Sequence, residues 1–351
     1  MDGSLTIEDG SVYEFLDLVT MNLGHGRHPL NMRLASGFRF ALRVFHQFNP
    51  IPRARANVAH HYDLSSALYE LFLDRDRQYS CAYFSHADET LETAQENKKR
   101  RIAAKLGLGP GKRILDIGCG WGGMALHLAR DTGAEVTGIT LSAMQHEVAE
   151  RRAKETGLSE RAQFFLRDYR QQTGTFDRIV SVGMFEHVGV DHYREFFAKL
   201  AALLADDGVA VLHTIGRAGP PAEGEPWIRK YIFPGAYIPA FSEIAKAIEK
   251  TGLVITDVEV LRLHYAMTLR HWRERFQANR EAVKKLYDER FCRMWEYYLA
   301  ASEASFRNLG NVVFQIQLAK RVETVPLTRA YLRSWNAPGA QDSGLYARRS
   351  A

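Results

Sequence analysis

Residues 113–123 read RILDIGCGWGG, and this stretch decides the fold. Its first half, RILDI, has the character of a short β-strand and carries Asp116 near its end. Glycines follow at positions 118, 120, 122 and 123, and the next residues, MALHLAR, have a helical pattern. We therefore predict a strand, a glycine turn and a helix, in which bare peptide groups and the helix N-terminus can face a ligand.

Two classes of ligand fit this turn. The spacing G-x-G-x-x-G over residues 118–123 satisfies the dinucleotide fingerprint, so a nicotinamide or flavin enzyme is one interpretation. Asp116 argues against it, because a carboxylate at the mouth of the turn repels a pyrophosphate but attracts the cationic amino group of S-adenosylmethionine. The next strand pattern, AEVTGITLS, ends in Thr140 and Ser142, without an acidic residue to hold a ribose. We therefore favour a site for S-adenosylmethionine over a dinucleotide site. A glycine turn that binds no ligand is a further alternative.

Strand and helix patterns alternate from residue 113 to residue 217. This alternation predicts a doubly wound α/β fold, with a parallel sheet covered by helices on both faces. The predicted strands are RILDIG, EVTGIT, AQFFLRD, FDRIVSVG, VAVLHTIG and, further on, VITDVEVLRL; one predicted helix is HYREFFAKLAALLADDG, residues 192–208. Ligands of such sheets bind at the carboxyl ends of the strands. We expect one crevice to collect Asp116, Thr140, Asp168, Glu186 and His213.

Three further segments flank or interrupt this alternation. Residues 1–52 read as an N-terminal helical extension, residues 218–252 as an inserted helical lid of a catalytic domain spanning 53–325, and residues 326–351 as a polar tail. The extension contains an apolar stripe with basic neighbours, which could lie on an anionic lipid surface, dock on the main domain or form a dimer contact. The stripe is Leu34, Phe38, Leu42 and Phe45 beside Arg33, Arg39 and Arg43.

Composition narrows the class of protein. The chain has 351 residues, 46% of them hydrophobic, which is ordinary for a globular protein with a sizeable core. Its net charge of +5 is compatible with an anionic membrane surface and does not by itself predict nucleic-acid binding. The 3 cysteines show no CxxC spacing, so neither a zinc site nor a disulfide framework is predicted. No secretory signal or membrane-spanning apolar run is evident, and we expect a cytoplasmic protein.

Several stretches, taken together and in order, resemble the cyclopropane fatty acid synthase family. They are HHYDLSSALYELFLD, YSCAYF, LDIGCGWGG, TLSAMQ, SVGMFEHVG, VLHTIG, YIFPGAYIP and HYAMTLRHW. The glycine motif is common to most methyltransferases of this fold, whereas YSCAYF, EHVG, LHTIG and HYAMTL in this order are specific. The resemblance covers about residues 57–320 and implies a Rossmann-like class I methyltransferase with a seven-stranded, mostly parallel sheet.

The resemblance also implies a set of site residues. S-adenosylmethionine would contact Tyr79, Ser80, Asp116, Gly118, Gly120, Gly122, Thr140, Leu141, Ser142, Gln145, Asp168 and Tyr169. A bicarbonate ion at the reacting centre would be held by the backbone at Cys81 and Ile215 and by the side chains of Glu186, His213 and Tyr265. Many family members have a cysteine where this chain has Ser302. A covalent cysteine intermediate is therefore not expected, and Cys292 does not replace that cysteine.

The activity that the resemblance implies is transfer of a methylene group from S-adenosylmethionine to the cis double bond of an unsaturated phospholipid acyl chain. A cyclopropane ring would form, with bicarbonate as the general base. Three alternatives stay open: methyl transfer without ring closure, a small-amine N-methyltransferase of related fold, and a non-catalytic lipid-binding protein. We also expect peripheral contact with the inner face of the membrane, a possible homodimer and no nucleic-acid partner.

Overall fold

The computed structural model describes residues 1–25 and 65–334. The apolar and basic stripe between residues 33 and 45 lies outside the described residues, as does the end of the predicted tail.

The helices and strands of the described residues follow in this order. They are α1 (Val12–His25), α2 (Ser66–Phe72), α3 (Leu91–Leu106), β1 (Arg113–Ile117), α4 (Gly123–Thr132), β2 (Glu135–Thr140), α5 (Ala143–Glu155), β3 (Ala162–Leu166), β4 (Phe176–Val182), α6 (Tyr193–Leu203), β5 (Leu204–Arg217), α7 (Pro226–Tyr231), α8 (Phe241–Ile248), β6 (Val254–Leu261), α9 (His264–Ala278), α10 (Arg280–Leu286), α11 (Glu289–Asn308), β7 (Asn311–Ala319) and α12 (Tyr331–Ser334). Short 3₁₀ helices cover Tyr169–Gln171, Phe185–His187 and Val190–His192.

A seven-stranded sheet in the order β3-β2-β1-β4-β5-β7-β6 forms the centre of the molecule. Strands β1 to β5 pair in parallel, and β7 pairs antiparallel with both β5 and β6. The prediction of a doubly wound, mostly parallel sheet is therefore confirmed. The pattern reading missed β7, because Gln315 and Gln317 interrupt its apolar run. Both side chains are buried, and their amide nitrogens contact His213 Nδ1 and the Lys105 carbonyl oxygen respectively, while Gln315 Oε1 has no partner among the described residues.

The predicted helix over residues 192–208 is wrong at its C-terminal end. Helix α6 stops at Leu203, and β5 begins at Leu204, which pairs with Phe176. The register then shifts, and regular pairing resumes at Val209. Residues 205–208 are thus an irregular entry into the strand. Backbone pairing with β4 overrides the helical pattern of this short polar run.

Apolar side chains form a layer on each face of the sheet and a third cluster beyond the strand ends. Helices α3, α4 and α5 cover one face, and α6 and α8 cover the other. The third cluster joins α2, α9 and α11 around Phe72, Trp272 and Trp295. Residues following α7, including Ile232, join this third cluster, whereas α8 packs on the sheet through Ile244. The predicted lid segment therefore packs in two places: its first part joins the third cluster, and its second part, α8, packs on the sheet.

The N-terminal helix α1 packs on α11. Asn308 on α11 donates to the Asp17 carboxylate and to the Thr20 hydroxyl, each at 2.8 Å. The Arg273 guanidinium lies 4.5 Å from the centre of the Tyr13 ring. The described part of the N-terminal extension is thus attached to the helical cluster beyond the strand ends.

The segment after residue 326 is anchored to the domain by α12. Tyr331 and Leu332 are 6% and 2% exposed, and they form a buried apolar cluster with Ala104 on α3. The Tyr331 hydroxyl donates to the Gln317 amide oxygen at 3.2 Å. The first residues of the predicted polar tail are therefore part of the packed structure.

Leu332→Ala is expected to lower the free energy of unfolding by about 2–3 kcal/mol, because it removes most of a buried apolar side chain and leaves a cavity. Leu327→Ala is the matched control, since Leu327 is fully exposed, and it should change stability by less than ~0.5 kcal/mol. Urea unfolding followed by circular dichroism measures both. Equal midpoints for the two variants would contradict the anchoring role of α12.

Candidate active site

A crevice lies at the glycine turn, where the carboxyl ends of β1, β2 and β4 meet. Its volume is about 1190 Å³, including space open to solvent, which is ample for a nucleoside-sized ligand. Most of the residues predicted to hold the methyl donor line it. These are Tyr79, Ser80, Asp116, Gly118, Gly120, Thr140, Leu141, Gln145, Asp168 and Tyr169.

Two of the residues that were predicted to contact the methyl donor lie behind the wall of this crevice. Gly122 has φ +82°, and a Cβ there would stand 2.8 Å from Phe164 and 3.0 Å from Ala149, so glycine lets the turn pack on β3 and α5. The Ser142 hydroxyl accepts a hydrogen bond from the Gln145 backbone N–H at 3.3 Å and caps α5. Both residues shape the crevice without lining it.

Two buried carboxyl groups line the crevice: Asp168, which is paired with Arg170, and Asp116. The Asp116 side chain is 1% exposed, and among the described residues its Oδ2 has no hydrogen-bond partner. Burial raises the pKa of this carboxyl to about 7. A buried carboxylate oxygen without a donor favours a cationic ligand, because a nearby positive charge restores the ionised form. The amino group of a methyl donor meets this requirement.

Glu186 lies in the 3₁₀ helix Phe185–His187, directly after β4. Its Oε1 accepts a hydrogen bond from the Ile215 backbone N–H at 2.5 Å. Its Oε2 is buried and has no partner among the described residues. Burial raises the pKa of the carboxyl to about 7. The neutral acid is therefore accessible near neutral pH, and it can donate a hydrogen bond from Oε2.

His213 lies on β5 beside Val182, the last residue of β4. Its Nδ1 is 3.1 Å from Gln315 Nε2, while its Nε2 is buried without a partner among the described residues. Burial, with a contribution from the Lys98 ammonium, holds the pKa of the ring well below its usual value. The ring is therefore neutral, and an amide that donates to Nδ1 leaves the proton on Nε2.

Tyr265 and Cys81 share one apolar cluster with Ile215. The Tyr265 ring lies 4.7 Å from that of Phe306 and 5.8 Å from that of Trp272. The Cys81 thiol lies 3.3 Å from the Ala82 carbonyl oxygen, and burial raises the pKa of the thiol. An un-ionised thiol is a poor nucleophile, so any role of Cys81 falls to its backbone.

Sequence reasoning missed several residues that line the crevice. His187, Trp121, Met184 and Arg170 all contribute to its wall. Burial lowers the pKa of His187 to about 4, so this ring is neutral. His187 and Met184 could have been predicted as site residues, because both follow closely on the predicted strand FDRIVSVG. Trp121 lies inside the glycine motif, but the motif assigns a binding role only to its glycines.

An aromatic row begins at Tyr287, just before α11, and continues along that helix to Tyr298. Tyr287 stacks on Phe291 at 4.0 Å, and Phe291 stacks on Trp295 at 5.5 Å. Trp295 meets Tyr298 edge to face at 5.2 Å, and the Tyr298 hydroxyl lies 2.8 Å from that of Tyr79. A long row of aromatic side chains thus lies next to Tyr79, one of the residues that line the crevice.

The sheet order and the glycine turn after β1 define a class I methyltransferase. A coclaurine N-methyltransferase structure shares this fold at a TM-score of 0.72 and 18% identity, covering 88% of this chain and 94% of that one. A cyclopropane synthase from Mycobacterium tuberculosis matches at a TM-score of 0.73 and 34% identity, covering 78% of this chain and 99% of that one.

Residues 51–316 match the family described as mycolic acid cyclopropane synthetase. The chain is 40% identical to the cyclopropane-fatty-acyl-phospholipid synthase of Escherichia coli K12, over 85% of this chain and 77% of that protein. It is also 40% identical to a probable fatty acid methyltransferase of Pseudomonas putida, over 78% of this chain and 72% of that protein. The chain belongs to the mycolic acid cyclopropane synthetase family, and the resemblance inferred from its motifs is confirmed.

Gly120→Ala and Gly122→Ala are expected to fail in different ways. Both glycines have positive φ, but a Cβ at Gly120 meets nothing within 4 Å, whereas one at Gly122 collides with Phe164. Gly122→Ala should lose about 2 kcal/mol or more of stability and keep its donor affinity. Gly120→Ala should lose less stability and more affinity, because its methyl group enters the crevice. Thermal unfolding and calorimetry with S-adenosylhomocysteine test this, and loss of affinity in a stable Gly122→Ala protein would contradict it.

Proposed function

We propose that this protein transfers a methylene group from S-adenosylmethionine to the cis double bond of an unsaturated phospholipid acyl chain and forms a cyclopropane ring. The observation that carries the proposal is a contact between the crevice and a packed aromatic row. The crevice contains the buried carboxyl of Asp116, and Tyr79, which lines it, places its hydroxyl 2.8 Å from that of Tyr298 in the row. The name of the Escherichia coli relative agrees with a phospholipid acyl substrate, and the name of the Mycobacterium tuberculosis relative agrees with a cyclopropane product.

The donor assignment is supported by the residues of the crevice. Asp116 offers a carboxylate to the amino group of the donor, and the glycine turn offers bare backbone at Gly118 and Gly120. Thr140 and Gln145 hydrogen-bond to each other at 3.0 Å where a ribose would lie. A mycolic acid cyclopropane synthase of 34% identity has been solved with SAH, the product of this donor, and with CTAB.

The reaction determines what the reacting centre must do. One alkene carbon bonds to the donor methyl carbon while the carbon–sulfur bond breaks and its electron pair stays on sulfur. The other alkene carbon becomes cationic. Loss of a proton from the added methyl group frees the electrons of that C–H bond to close the ring. The site must therefore provide a base and exclude water, and aromatic faces such as Tyr79 and Phe233 suit the cation.

A bicarbonate ion fits the polar groups of this centre, and when bound it would supply the base. Glu186 Oε2 and His213 Nε2 are both buried without partners among the described residues, and both can donate to an anion. Ile215 is linked to Glu186 through its backbone N–H, and Tyr265 shares the cluster. These residues would hold the ion and orient it. None of them is itself an obvious base for a methyl proton.

Peripheral contact with a membrane is part of the proposal. The outer side of α1 exposes Phe15, Leu18, Met21 and Leu23, which are 40–61% accessible. Such an apolar face suits the surface of a bilayer. The basic charge that favours an anionic bilayer lies outside α1, because α1 carries Glu14 and Asp17 and no Lys or Arg. No helix among the described residues has the length and apolar character needed to span a bilayer.

Product analysis tests the function. The protein is incubated with S-adenosylmethionine and vesicles of cis-monounsaturated phospholipid, and the lipid is examined by proton NMR. Cyclopropane protons are expected, with faster turnover on anionic than on zwitterionic vesicles, and saturated vesicles are the control. Mass alone does not decide, because ring and branched products both add one CH₂. A branched product would instead support the methyltransferase activity that the Pseudomonas putida relative is named for.

Glu186→Gln tests the bicarbonate site. It should keep binding S-adenosylhomocysteine and lose turnover by about 10²-fold, since an orienting group is altered. In the unsubstituted protein Glu186 is neutral below its pKa of about 7 and ionised above it, so apparent bicarbonate affinity should fall as pH rises through 7. Glu186→Gln cannot ionise and should lose this pH dependence.

The control is Glu303→Gln, which alters another buried glutamate, one on α11 that is paired with Arg273 of α9. It should retain turnover and its response to bicarbonate. If Glu186→Gln turns over normally in carbonate-depleted buffer, the bicarbonate role is wrong.

A further inference from the structure

Lys98 contacts residues that line the crevice and does not line it itself. It is on α3, and its side chain is 0% exposed. Its ammonium donates to Gln78 Oε1 at 2.6 Å and to Ser80 Oγ at 2.8 Å. Both acceptors belong to the segment 78–80, whose residues line the crevice. A fully buried lysine is uncommon, so its contacts call for an explanation.

Gln95, about one helical turn before Lys98, binds the backbone of the same segment. Its amide nitrogen donates to the carbonyl oxygen of Gln78 at 3.1 Å and to that of Ser80 at 3.0 Å. The two residues on either side of Tyr79 are therefore held by four hydrogen bonds from one face of α3. This fixes the direction in which Tyr79 meets the crevice and the aromatic row.

Charged groups surround the Lys98 ammonium on several elements. Burial lowers its pKa, Asp74 and Asp76 in the preceding loop raise it, and Lys99 on α3 lowers it, leaving a value of about 8. Most of the amine is protonated at pH 7. Its charge lowers the pKa of Asp116 on β1 and that of His213 on β5. It thus favours an ionised Asp116 and a neutral imidazole, the forms that the donor site and reacting centre need.

We propose that Lys98, assisted by Gln95, is a positioning residue that holds segment 78–80 in the geometry required for methyl-donor binding. The inference rests on the part of the proposed function that puts S-adenosylmethionine in this crevice. It gives a reason for a lysine at a position where an apolar side chain would cost less to bury. A residue serving stability alone would leave the affinity of the folded protein for the donor unchanged.

Lys105 supplies a matched control on the same helix. It is also 0% exposed, and its ammonium pairs with Glu259 at 2.8 Å and with Asp257 at 3.3 Å, both on β6. Neither Lys105 nor these partners line the crevice. Lys98→Met and Lys105→Met therefore remove equivalent buried charges, one with and one without contacts to segment 78–80.

Calorimetry with S-adenosylhomocysteine and chemical unfolding are measured for the two variants and the unsubstituted protein. Both variants should lose stability. Lys98→Met should bind the ligand ~10-fold or more weakly, as expected for loss of hydrogen bonds to a charged group, while Lys105→Met should stay within about 2-fold. In turnover assays Lys98→Met should raise KM for the donor more than it lowers kcat. Ser80→Ala added to Lys98→Met should weaken binding less than the sum of the single effects.

Equal ligand affinities for folded Lys98→Met and Lys105→Met would overturn the inference. If Lys98→Met does not fold, Lys98→Gln is compared with Lys105→Gln by the same readouts, and equal affinities again overturn it. Failure of the unsubstituted protein to bind S-adenosylhomocysteine would be a different result. It would refute the donor assignment itself, before any variant is considered.

Discussion

The close contact between the glycine turn and the side chains behind it is the constraint on which the rest of the structure depends. Gly122 brings the turn to van der Waals distance of Phe164 on β3 and Ala149 on α5. This contact holds the start of α4 against the sheet and leaves the other side of the turn free for a ligand. Asp116, two residues before Gly118, is thereby fixed at the floor of the crevice. A bulkier turn would separate the helix layer from the strands that carry the site.

Local patterns were sufficient to predict most of the fold. Strands β1 to β6 were readable because each is a short apolar run bounded by turn residues, and the alternation with helices implied the parallel order. Strand β7 was not readable, since Gln315 and Gln317 look like surface residues until their buried partners are known. The end of α6 was misjudged for a similar reason. Pairing with a strand some thirty residues earlier, at Phe176, decides it.

The residues of the candidate site likewise differ in how far local sequence patterns predict them. Asp116, Thr140 and Asp168, at or just after strand ends, could be placed in one crevice from the fold rule alone. Glu186 and His213 were expected in the same crevice but are not among the residues that line it. Lys98 could not be placed near the site, because the run NKKRR is indistinguishable in sequence from a solvated helix face. Whether a lysine is buried depends on acceptors brought near it by the tertiary fold, here Gln78 and Ser80. Gly122 and Ser142 show the converse, since they carry a binding motif yet support the wall from behind.

The position of β7 has a consequence for how the molecule is assembled. This last strand of the described chain inserts between β5 and β6, so until it is synthesised both of those strands have an unpaired edge. Gln315, the partner of His213, arrives on the same strand. During synthesis from the N-terminus the donor crevice can form early, but His213 Nδ1 lacks its amide neighbour until nearly the whole domain has emerged. Until then β5 and β6 carry unpaired edges that can aggregate, and the insertion of β7 between them covers both edges.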